Sequence, residues 1–128
     1  MTAVNLPEVR AEVLACVLRY EQALIANDLA VLDELFWSSP HTIRYGPGEV
    51  LYGTTEIRAF RQGRDAGNLA REVRRLEITT FGENFATANL EFHRAGDSRV
   101  GRQSQSWVRF ESGWRVVSAH VSLMPPAS

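Results

Sequence analysis

The chain contains no lysine; all 14 of its basic residues are arginine. A Schiff-base lysine and a lysine-bearing phosphate loop are therefore excluded at the outset. Cysteine is nearly absent too. Cys16 stands alone, which rules out an internal disulfide and any multi-cysteine zinc site, and the scattered His41, His93 and His120 leave little scope for a metal cluster. A lone thiol suits a reducing compartment. No apolar run approaches the ~20 residues needed to span a bilayer. Residues 1–5 offer no basic flank leading into an apolar segment, so the expected location is cytoplasmic, with no membrane partner. An excess of charge of either sign is missing as well. With a formal net charge of −1 and acidic residues interspersed among the arginines, the chain lacks the basic surface that a broad nucleic-acid footprint requires. Phosphate loops, dinucleotide fingerprints, nucleophile elbows and metal-protease helices are also absent.

What remains is ample for one domain. A chain of 128 residues with 45% hydrophobic content buries a core without staples, and a single domain over residues 1–128 is expected. Residues 6–26 read as a first helix, with Asn5 as its cap, Pro7 in its first turn, and Val9, Val13, Cys16, Val17, Tyr20 and Leu24 at helical spacing. Asp28 can cap a short second helix through Leu29, Leu32, Leu35 and Phe36. Residues 42–46 and 50–53 read as short strands joined across Pro47-Gly48. A third helix follows from Thr54 to about Arg64, with Ile57, Phe60, Arg61 and Arg64 on one face. After Gly67-Asn68 the pattern alternates. Residues 76–81 and 86–93 form one hairpin, residues 102–110 and 114–123 a second, and Pro125-Pro126 ends the structured part. Helices first and a long meander last define an α+β domain, in which a curved antiparallel sheet wraps three helices and leaves a conical pocket. Periodicity leaves open which sheet face is concave.

Candidates for chemistry are polar groups standing where core residues are expected. Tyr20 lies on the apolar stripe of the first helix; it is either a core tyrosine with a hydrogen-bonded hydroxyl or a group that orients a substrate or gives it a proton. Arg44 offers a fork for a carboxylate. Its alternation with Ile43 and Tyr45, however, points it to solvent. Arg61 and Arg64 either face a pocket rim or lay their stems on apolar surface with their heads in water. His120, with Ser118 and Ser122 on its strand face, either lines a cavity as a base or is wet. Gln105 and Trp107 pose the same choice. Cys16 reads as inert packing, and Asp28, Asp33 and Glu34 as caps or solvated faces.

Phe36-Trp37, Arg44-Tyr45-Gly46, residues 49–53, Phe60-Arg61 with Arg64, Ser104-Gln105 through Trp107 to Gly113-Trp114, and Ala119-His120-Val121-Ser122 together resemble the AtzH-like family. That family sits within the nuclear-transport-factor, ketosteroid-isomerase and scytalone-dehydratase group, also called SnoaL-like. The resemblance spans nearly the whole chain. It implies a cone with a pocket at its open end, a homodimer, and a decarboxylating amidohydrolase converting 1,3-dicarboxyurea to allophanate in cyanuric acid catabolism. It also implies a link to oxalurate catabolism. The family's important tyrosine and arginine match Tyr20 and Arg44, the expected catalytic pair. Trp37, Arg61, Arg64, Gln105 and His120 are the expected substrate contacts, with no metal or other cofactor and a small carboxylated urea as partner. Alternatives are a binding or accessory protein without turnover, and a dehydratase or isomerase. The strands lining the expected pocket carry no aspartate, so the isomerase reading loses its base and His120 alone supports the dehydratase.

Overall fold

Pro7 opens the first helix where its missing N–H costs nothing and its fixed φ is already helical. In the computed structural model, which describes residues 1–126 apart from the side chain of Asn68, α1 covers Pro7–Ala26 and α2 covers Leu29–Leu35. Residues 127 and 128 of the expected domain lie outside this description. Val9, Val13, Val17, Tyr20 and Leu24 form the buried stripe of α1, as their spacing predicts. Cys16, expected on that face, is only half-buried at its edge. Asn27 ends the helix in the left-handed conformation at φ 52°, which asparagine tolerates. Asp28 then accepts from the Val31 N–H and caps α2.

The cap expected from Asn5 is not formed. Asn5 sits at φ 58°; its N–H donates to the Thr80 carbonyl and its Oδ1 accepts from the Thr80 N–H. Its side chain is thus committed to tying the N-terminal segment to the sheet. Phe36, expected inside α2, is extended just past its end and bridges to Val116.

β1 (Ile43–Tyr45) and β2 (Val50–Tyr52) form a small hairpin, and α3 (Gly53–Gly63) and a 3₁₀ turn (Ala66–Asn68) follow. β3 (Arg71–Phe81), β4 (Phe85–Arg94), β5 (Gly101–Phe110) and β6 (Gly113–Leu123) then run as a meander. The strands make one curved, open sheet in the order β2-β1-β6-β5-β4-β3. It is mixed rather than wholly antiparallel, because β1 pairs parallel with β6. The strand reaches that edge by way of the helices, not by a hairpin from β6, and so is free to take the parallel sense. Register shifts at Val73/Arg75 and Ser106/Trp107 mark bulges, which bend strands and deepen curvature.

The helices cover one face of the sheet. Ala86, Ala88, Trp107, Val116 and Ala119 pack there with Val13, Val17, Leu32 and Leu35, each large side chain contributing ~1.5–3 kcal/mol by leaving water. A smaller cluster of Leu90, Phe92 and Val121 extends the apolar face. Among the described residues no helix is long and apolar enough to cross a membrane.

Candidate functional site

Arg44 is the first departure from pattern. Its neighbours Ile43 and Tyr45 were expected to face the core, yet Arg44 is the buried member of β1, at 6% exposure, and the other two are half-buried. The alternation is inverted because β1 pairs with β6 at Arg44↔Ala119 and Tyr45↔His120. Ala119 faces the helices, so Arg44 does too, while His120 and Tyr45 face outward. The Arg44 guanidinium donates to Glu49 Oε1 at 2.7 Å. Gly46 makes this possible, since a Cβ there would lie 1.7 Å from that oxygen.

Further guanidiniums converge on the same space, and phenylalanine rings carry them. Arg44 and Arg64 lie 5.1 and 5.8 Å from the centroid of Phe60. Arg61, at 1% exposure, lies 4.1 Å from that of Phe36, and Phe36 in turn stacks on the Tyr20 ring at 5.9 Å. Arg71 and Arg94 lie 4.3 and 5.5 Å from Phe92. Such contacts are worth ~2 kcal/mol or more when desolvated. The Phe92 ring reaches its place only because residue 101 is glycine; a Cβ there would come within 2.1 Å of it.

Tyr20, Leu24, Arg44, Arg64, Leu69, Arg71, Arg94, Gln103 and Val121 line the resulting cavity. Space free of atoms amounts to ≈ 320 Å³ including its opening, but the centre of a water molecule reaches only ≈ 30 Å³ of it. The interior is therefore tight. Compensation of charge is partial. Arg71 makes a bidentate pair with Glu21, both contacts at 2.7 Å, and donates to Gln103 Oε1 at 2.9 Å. Arg44 has Glu49, and Arg61 has Asp33 at 3.7 Å and the Leu32 carbonyl at 3.3 Å. Among the described residues, Arg64 and Arg94 have no carboxylate within the 4.0 Å of an ion pair.

These charges act on Tyr20. Burial pushes its phenol up, but the nearby guanidiniums of Arg61, Arg44, Arg71 and Arg64 more than reverse this, and the hydroxyl ends below the ordinary tyrosine value. Burial likewise lowers Arg64, to about 10, with Arg44 and Arg61 adding to the effect against Tyr20 and Glu49. Arg61 is lowered chiefly by burial. Among the described residues no three His, Cys, Asp or Glu side chains converge; the donors gathered here are cations, suited to an anion.

Of the residues singled out from sequence, Tyr20, Arg44 and Arg64 share this cavity, and Arg61 lies against Tyr20 and Phe36 behind it. Gln105 is buried on the same sheet face but outside the lining, where its Oε1 accepts from Trp107 Nε1 at 3.1 Å. Trp37 is not a cavity wall. It stacks on Phe110 at 5.4 Å and borders a separate depression with Asp33, Arg58 and Arg115; its neighbour Phe36 is the ring turned toward Tyr20. His120 is exposed on the outer face, edge-on to Tyr45 at 5.6 Å, because the helices cover the Ala119/Val121 side of β6. Arg71, Arg94 and Gln103 were missed, since residues near strand ends read as ordinary surface.

A helix-filled curved sheet with an arginine-lined cavity at its open end defines the class: a nuclear-transport-factor-like, or cystatin-like, α+β fold. Among solved structures, a superfamily member from Salmonella enterica shares that fold at 24% identity, a TM-score of 0.77, and coverage of 94% of this chain and 93% of its own. Much nearer is a protein of unknown function from Pectobacterium atrosepticum, with 54% identity, a TM-score of 0.94 and 95% of each chain covered. A cystatin-like fold protein from Burkholderia xenovorans matches at 42% identity and a TM-score of 0.93, over 98% of this chain and 100% of its own. No curated protein matches the chain. The chain belongs to the AtzH-like family, whose model matches residues 2–127.

Proposed function

We propose that residues 1–128 act as one domain, a decarboxylating amidohydrolase for a small N-carboxylated urea that converts 1,3-dicarboxyurea to allophanate and carbon dioxide. One observation carries this reading: Tyr20 and Arg44, from separate elements, line a single cavity where guanidiniums outnumber carboxylates. The dehydratase alternative loses its base with His120 on the outer face.

In the proposed reaction the departing carboxylate meets Arg44, in competition with Glu49. The bond between the urea nitrogen and the carboxylate carbon breaks, its electron pair passes to nitrogen, and the Tyr20 hydroxyl supplies the proton there. Carbon dioxide leaves and water reprotonates the phenolate. Charge balances, since a dianion and one proton become monoanionic allophanate and a neutral gas. A phenol drawn below its ordinary value is the stronger acid for this step. The surrounding guanidiniums stabilise the phenolate in a site that holds little water. The scheme calls on no cofactor.

Carbon dioxide release from 1,3-dicarboxyurea by purified protein tests the reaction, and absence of release removes it. A second reading, binding of a labile carboxylated intermediate without turnover, rests on the same arginine-lined cavity; saturable binding with no release would favour it. A cytoplasmic homodimer, with neither nucleic acid nor membrane as partner, belongs to the same proposal. Light scattering tests the dimer.

A further inference from the structure

We propose that Arg94, assisted by Arg64, forms a second anion subsite at the mouth of the cavity and holds the carboxylate that the substrate keeps. This rests on the decarboxylase reading for the identity of the substrate, but its binding geometry stands apart from turnover.

Pairing in the sheet makes the first argument. Arg71 and Arg94 are direct cross-strand partners, an arrangement of like charges that destabilises an antiparallel pair. The fold relieves only one of them. Glu21 and Gln103 take up Arg71, and Arg94 keeps a positive charge with no carboxylate beside it among the described residues. Asp97, the nearest acidic residue in sequence, is committed to Arg99 through contacts of 2.8–3.2 Å.

Unspent hydrogen-bonding capacity makes the second. Arg94 Nε and the Nε and Nη2 of Arg64 are buried atoms with no partner, although a buried donor left unpaired costs ~1–3 kcal/mol. Both arginines line the cavity, so a carboxylate entering it meets their guanidiniums. Arg94 also borders the open depression formed with Gly67, Ala70, Asp97 and Arg99, which places it where the cavity meets solvent. Phe92 and Phe60 hold the two guanidiniums in position, and arginine offers the planar fork that a carboxylate requires.

The chemistry assigns the two ends. A carboxylate that becomes carbon dioxide loses its charge, so a tight cationic grip on it would stabilise the reactant and oppose release. Arg44, already shared with Glu49, suits that end. The uncompensated pair suits the carboxylate that survives.

Isothermal calorimetry at low salt with glutarate and butyrate tests this. Glutarate has three atoms between its carboxyl carbons, as 1,3-dicarboxyurea has, and butyrate lacks one carboxylate. The wild type is expected to bind glutarate at least ~10-fold more tightly than butyrate. Arg94→Gln should weaken glutarate ~10-fold and butyrate less than ~2-fold. Arg94→Lys, a point charge in place of a fork, should fall between, and guards against loss of fold in the glutamine variant. Equal binding of the two acids by the wild type, or equal loss of both in Arg94→Gln with an unchanged melting curve, overturns the subsite. Selective glutarate binding without carbon dioxide release from 1,3-dicarboxyurea would keep the subsite and refute only the reaction.

Discussion

Replacing Arg61 by methionine should make the protein more stable and its tyrosine less acidic. The guanidinium is 1% exposed and keeps a hydrogen bond to the Leu32 carbonyl at 3.3 Å, a carboxylate at 3.7 Å and the Phe36 ring at 4.1 Å. Against these stand a buried charge, like-charged neighbours in Arg44 and Arg64, and unpaired Nε and Nη2. Removing it leaves the Leu32 carbonyl and Asp33 with other partners, and takes a donor only from the Tyr20 hydroxyl. The Leu32 carbonyl still accepts from the Phe36 N–H at 3.3 Å, and Asp33 keeps Arg58 at 3.5 Å. An unbranched apolar chain of similar length then replaces a costly ion, a change worth ~1–4 kcal/mol in favour of folding. At ~2 kcal/mol the melting temperature of a domain this size rises by roughly 6–10 °C.

The same change removes the largest positive influence on the Tyr20 phenol. Its titration, followed by phenolate absorbance with Tyr20→Phe subtracted, should move up. Circular dichroism melting and this titration, run on the same samples, read both effects. A melting temperature lowered by more than ~5 °C, or an unmoved Tyr20 titration, would refute the reasoning.

Other perturbations probe the rest of the site. Tyr20 has a folded value below its ordinary 10.0, so in that window the unfolded chain binds more protons and stability rises with pH. This contribution is fully present above 10 and is lost as pH falls through the folded value. Urea unfolding of wild type and Tyr20→Phe from pH 7 to 10 should therefore show a difference that grows in favour of the wild type; a falling difference contradicts the coupling. Gly101→Ala drives a methyl into the Phe92 ring, 2.1 Å away, and should cost ~1–3 kcal/mol of stability together with glutarate affinity; a wild-type melt with wild-type affinity would deny Phe92 its supporting role. Glu49→Gln releases Arg44 from its ion pair and should tighten butyrate binding several-fold in calorimetry, whereas weaker binding would mean that Glu49 positions Arg44 rather than competing for it.

Element order was legible from periodicity because α1 and the β3–β6 meander repeat their apolar residues cleanly. The site was harder to read. Arg44 lies on a strand of only three residues, Ile43–Tyr45, where alternation gives two opposite answers and only the pairing with β6 chooses. The family resemblance identified it; the pattern pointed the other way. His120 went wrong for the same reason, since Ser118 and Ser122 mark one face of β6 without saying which face the helices cover. Arg94 was hidden by a bulge. Counted outward from the turn between β3 and β4, Arg71 faces Ala95, and the register shift between Val73 and Arg75 brings Arg94 opposite instead. Gly101 beside Phe92 was the remaining clue, a residue without a side chain where an aromatic ring had to lie.

Steady-state carbon dioxide release from 1,3-dicarboxyurea by wild type, Tyr20→Phe and Arg44→Gln tests the central assignment most directly. Loss of the proton donor should lower kcat ~100-fold or more with KM within ~3-fold, as expected of a general acid. Loss of the guanidinium should raise KM ~10-fold or more, the effect of a binding contact. Full activity in both variants, or an indistinguishable loss in kcat and KM for the two, would contradict the roles given to Tyr20 and Arg44.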